Sequence, residues 1–126
     1  MTLKDLIGFR LVDFDLEKEE IIIVKDEKKY KINVRRDEGD CCGYTELTGD
    51  LYISQDDIRE NPIITNIESV RQDENYTAAT AITFFGSCRP LATLTGLASS
   101  ESGYGYGACI TLECEDLQLE EVVAEY

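Results

Sequence analysis

Histidine and tryptophan are absent from this chain of 126 residues, and it holds one Met and two Pro. The missing histidine removes the commonest general acid–base group and the commonest metal ligand. No apolar run approaches the ~18 residues that a membrane-spanning helix needs, so such a helix is excluded. Met1-Thr2-Leu3-Lys4-Asp5 lacks the apolar stretch of a secretory signal, and the expected location is the cytoplasm. Basic residues are scarce: 12 Lys+Arg stand against 26 Asp+Glu, a net charge of −14. A phosphate backbone would be repelled, which argues against direct nucleic-acid binding.

What is present suffices for a folded domain. The hydrophobic content of 43% supports collapse, and the length allows one domain over 1–126. The charge is uneven. Residues 1–36 carry nine Lys and Arg against eight acids, a near-neutral +1, whereas 37–126 carry Arg59, Arg71 and Arg89 against 18 acids, a net −15. The acids concentrate in two blocks: 37–60, with Asp37, Glu38, Asp40, Glu46, Asp50, Asp56, Asp57 and Glu60, and a tail at 115–126. These blocks read either as a solvated surface or as an electronegative face that docks on a basic, nucleic-acid-binding protein.

The pattern along the chain predicts a mainly β fold. Thr2-Leu3-Lys4-Asp5 opens a short helix that Gly8 ends. Phe9–Phe14, Glu20–Lys25 and Lys29–Arg35 predict a three-stranded meander with a turn at Asp26-Glu27-Lys28. Tyr44–Ile53 reads as extended with a kink at Gly49, and Ser54 caps a short helix that Asn61-Pro62 ends. Strands follow at Ile63–Val70, Thr77–Phe85, Leu91–Ala98 and, as the last, Ala108–Cys114. The expectation is one bent antiparallel sheet, sandwich or barrel of about seven to eight strands with two short helices.

Five cysteines offer the clearest candidate chemistry. A hairpin of 91–98 with 107–114 would bring Cys114 near the turn that bears Cys88. Cys41 and Cys42 could then complete a four-thiolate structural zinc site. The alternative is a set of small buried hydrophobes in a reducing cytosol. Without histidine, no activating base is evident for a cysteine nucleophile. Asp56-Asp57 read as helix N-terminal acids or, alternatively, as carboxylates of a small metal-dependent enzyme. Tyr104 and Tyr106, in a small-residue loop at 99–107, are either interface anchors or parts of a flexible turn.

Asp40-Cys41-Cys42, then Gly49-Asp50-Leu51, Asp56-Asp57-Ile58 and Asn61-Pro62-Ile63, resemble a family of small bacteriophage proteins. Ala98 to Tyr106 is similar to that family's tyrosine-containing loop, and the likeness spans residues 3–114. Family members often place a His before the double Cys; here Arg36-Asp37-Glu38-Gly39 stands there, which argues against a His-containing metal site. The resemblance implies a viral or mobile-element origin. The expected function is then a non-catalytic inhibitor of a host defence nuclease, an anti-CRISPR acting on a type II effector. It would bind through Asp37, Glu38, Asp40, Asp50, Asp56, Asp57 and Glu60, with Tyr104 and Tyr106 as anchors. The alternative is a virion structural or assembly protein that self-associates through its sheet edges.

Overall fold

The structure, a computed structural model, describes residues 1–38, 43–74, 77–100 and 108–126. The fold is mainly β. A 3-10 turn at Leu3–Leu6 precedes β1 (Arg10–Asp15), β2 (Glu20–Lys25), β3 (Lys28–Asp37) and β4 (Gly43–Leu51). Helix α1 (Gln55–Arg59) leads to β5 (Asn66–Glu74), β6 (Thr77–Phe85) and β7 (Pro90–Ser100). Then come β8 (Cys109–Cys114), a 3-10 turn at Glu115–Leu117 and β9 (Leu119–Glu125). The strands form two antiparallel sheets, β1-β2-β3-β8-β9 and β4-β7-β6-β5. No helix among the described residues is long and apolar enough to cross a membrane.

The meander forms as its alternation dictates. Ile21, Ile23, Ile32 and Val34 are buried, while Lys29, Lys31 and Arg35 on β3 face outward. Asp26 and Glu27 adopt φ of 53° and 67°, and Lys25 pairs with Lys28. Two consecutive left-handed residues match the right-handed strand twist across a two-residue hairpin. In α1, the Ser54 hydroxyl accepts the backbone N–H of Asp57 at 3.1 Å, the expected N-cap.

Four expectations are corrected. β5 starts at Asn66 rather than Ile63, because 63–64 pair with the entry to β1. Ile63 bridges Arg10, and Ile64 N–H donates to the Phe9 carbonyl at 2.8 Å. β4 is not kinked at Gly49; its register with β7 runs unbroken from Gly43↔Ser100 to Leu51↔Ala92. The missing side chain instead lets the Thr93 carbonyl and Leu16 approach, where a Cβ would overlap both. β7 and β8 do not form a hairpin: β7 lies between β4 and β6, whereas β8 lies between β3 and β9 in the other sheet. Finally, β8 is not the last strand. The acidic tail folds as β9, with Leu119, Val123 and Ala124 inward and Glu120, Val122 and Glu125 outward.

One continuous core joins the sheets. Ile82, Phe84 and Leu94 of the second sheet share it with Leu11, Ile32, Ile110 and Leu112 of the first, all at most 1% exposed. Val123 and Ile110 pack against Gly96, where an added Cβ would meet both. Burying such side chains contributes about 1.5–3 kcal/mol each.

Candidate protein-docking face

Strand alternation decides which side chains the second sheet shows to solvent. Ala78, Thr80, Ile82 and Phe84 of β6 point inward, so Thr77, Ala79, Ala81, Thr83 and Phe85 point outward. Register then fixes their neighbours. One row across the four strands reads Asp50, Thr93, Thr83, Glu68. The next read Thr48, Thr95, Ala81, Val70; then Glu46, Leu97, Ala79, Gln72; then Tyr44, Ser99, Thr77, Glu74.

The face is a strip of small and hydroxyl-bearing side chains between two acidic margins. Glu46 and Asp50 stand on β4, and Glu68 and Glu74 on β5. The margins are about 14 Å apart, three strand spacings. Thr83 and Thr93 share a hydrogen bond of 3.1 Å, and the Thr77 hydroxyl donates to Ser99 at 3.2 Å, which links β6 to β7 across the strip. The Glu46 carboxylate pushes the Tyr44 phenol above its ordinary value of 10.0, aided by desolvation and opposed by Arg36. No Lys or Arg stands on this face among the described residues. Arg71, the one basic residue of these four strands, has the inward register, opposite Thr80, and pairs with Asp73 at 3.0 Å.

The first sheet, by contrast, carries both signs of charge. Lys25, Lys28, Lys29 and Lys31 cluster on the β2–β3 hairpin. Arg35 meets Glu113 at 2.9 Å, Asp37 at 3.3 Å and Glu120 at 3.9 Å, and Lys31 meets Glu20 at 3.5 Å. Glu20, Asp37, Glu113 and Glu120 are thus matched by cations.

The acidic block at 37–60 is thereby dispersed over four places. Asp37 lies on the outer face of the first sheet, against Arg35. Glu38 accepts the Thr45 hydroxyl at 2.9 Å and lies 3.8 Å from Arg36. Asp56 pairs with Arg59 at 3.5 Å, Asp57 with Arg89 at 2.6 Å, and Glu60 caps α1. Only Asp50 of the expected set stands on the cation-free face; Asp40, Tyr104 and Tyr106 lie outside the described residues. Sequence reading missed Glu68 and Glu74 as face residues. Their period-two spacing with Val70 and Gln72 carried the signal, but only pairing with β6 says which parity faces outward.

The cysteines separate likewise. Cys114 packs in the core, whereas Cys88 is exposed in the β6–β7 turn. They line different clefts, of about 560 Å³ beside Asn33 and Glu113 and about 380 Å³ beside Arg10 and Arg89. The hairpin that would have joined them does not exist, and Cys41 and Cys42 lie outside the described residues. Among the described residues, no group of three or more Cys, Asp or Glu could hold a metal ion.

Comparison with protein-family models, curated proteins and solved structures returns no match.

Proposed function

We propose that this chain is a non-catalytic docking protein that covers a basic, nucleic-acid-binding surface of another protein. The outer face of the β4-β7-β6-β5 sheet is the contact surface. The observation that carries this reading is the pair of carboxylate margins, Glu46 and Asp50 against Glu68 and Glu74, with no cation on the same face among the described residues. Most other described acids of the 37–60 block are engaged by arginines, whereas these four form no ion pair among the described residues. The neutral strip between them, with Tyr44, Leu97 and Val70 on it, supplies apolar contact at the centre. Complementary charge then sets the encounter rate and the choice of partner.

The sequence resemblance gives the partner's class: a host defence nuclease, in the first instance a type II CRISPR effector, whose nucleic-acid loading the bound protein blocks. The test is capture from host lysate at low salt, followed by inhibition assays on purified nucleases. A stoichiometric complex that weakens steeply with salt supports the reading. A complex indifferent to ionic strength, or no inhibition across a panel of nucleases, overturns it.

A further inference from the structure

Each sheet ends in two edge strands, and an edge presents unpaired backbone donors and acceptors that template pairing with another chain. Three of the four edges here are blunted. β1 carries a bulge between Leu11 and Asp13, and the β8–β9 register shifts between Ile110 and Thr111. β4 is covered, since Arg36 donates to the Thr45 carbonyl at 2.9 Å and Leu16 lies over Gly49. β5 has no bulge and no such cover; of the devices that blunt an edge it carries only charged side chains, among them the inward-register Arg71 and Asp73. It is nine residues long, pairs with β6 in unbroken register, and contains neither Pro nor Lys. Apart from Ile67 every residue of it is exposed, including the inward-register Ser69, Arg71 and Asp73.

We infer that β5 pairs antiparallel with β5 of a second copy of this chain, about a two-fold axis at Val70. Among the described residues Val70 is the most exposed large hydrophobic, at 62%. On the axis it meets its own symmetry mate. The register then sets Ser69 opposite Arg71, Glu68 opposite Gln72, Ile67 opposite Asp73 and Asn66 opposite Glu74. All nine residues find partners, and no two like charges are directly opposed, which is the arrangement strand pairs require. An axis at Glu68 or Arg71 would set like charges face to face. An axis at Gln72 would pair only 70–74 of the strand. The pairing is isologous, so it closes at two copies and produces one continuous eight-stranded sheet.

This inference stands apart from the docking reading, and the two respond oppositely to salt. Two chains of net charge −14 repel, so added salt strengthens the pair, whereas it weakens a complex with a basic partner. The test is sedimentation velocity on the purified chain from about 1 μM to about 1 mM. The expected result is a concentration-dependent dimer, favoured by salt, that Val70→Asp weakens at least tenfold and Val70→Ile retains. Amide exchange on the unmutated protein supplies a check independent of whether Val70→Asp folds. β5 amides slow as concentration rises, and β4 amides do not change. A monomer throughout, an open series of larger oligomers, or a dimer whose β5 amides are indifferent to concentration would overturn the proposal.

Discussion

The Arg36 guanidinium grips Thr45 twice, donating from Nε to the buried hydroxyl and from Nη2 to the backbone carbonyl, each at 2.9 Å. Arg36 belongs to β3 of the first sheet and Thr45 to β4 of the second, so one side chain ties the two layers at their shared corner. Glu19 at 2.8 Å completes the grip on the guanidinium, and Glu38 receives the Thr45 hydroxyl proton at 2.9 Å.

Removing this fork leaves buried acceptors on Thr45 without their donor. Arg36→Ala is expected to destabilise the fold by about 1–3 kcal/mol. Arg36→Lys recovers little of it, because an ammonium cannot present two donors in one plane. Urea denaturation of the three proteins measures both differences.

Gly49 and Gly96 both admit neighbours where a side chain would stand, but the neighbours differ. At Gly49 a Cβ meets the Thr93 backbone carbonyl; at Gly96 it meets the tips of Val123 and Ile110, which can give. Gly49→Ala should therefore lower stability by about 1–3 kcal/mol. Gly96→Ala should lower it by less, a ranking that thermal unfolding of the two variants reads directly.

Acid should weaken the α1 corner. The Asp57 carboxyl is held below its ordinary 3.8, first by the Arg89 hydrogen bond and then by Ser54. The folded state binds this proton less readily than the unfolded chain. The stabilisation is thus fully present above the ordinary value and lost as pH falls through the lowered one. The stability gap between the natural protein and Asp57→Asn is expected to narrow as pH drops below about 4, measured by denaturant midpoints across that range.

Charge reversal on the docking face separates it from the rest of the acidic surface. Asp50→Lys with Glu68→Lys should weaken partner capture strongly and flatten its salt dependence. Asp56→Lys, off that face, should change capture little. Equal losses from both would place the contact elsewhere.

The meander, the Ser54 cap and β6 were legible because period-two alternation and capping are local signals. The errors share a different origin. Ile63 and Ile64 look like strand residues and do pair, but with the β1 entry more than 50 positions away. Residues 115–126 looked like a tail because their acids are conspicuous, although they flank an inward Leu119 and Val123. The docking face was half legible. Asp50 was read from its acidic block, but the outward parity of Glu68 and Glu74 is decided by β6, and the hairpin expected to bring Cys114 to Cys88 is absent because strands adjacent in sequence went to different layers.

The position of β9 also bears on how the chain matures on the ribosome. Val123 closes the gap over Gly96, and Leu119 and Ala124 are buried beside it. The meander needs only neighbouring residues and can assemble while synthesis continues. The apolar floor of the second sheet, by contrast, is complete over Gly96 only when Val123 has left the exit tunnel. Closure of the sandwich at Gly96 therefore comes after the meander has formed.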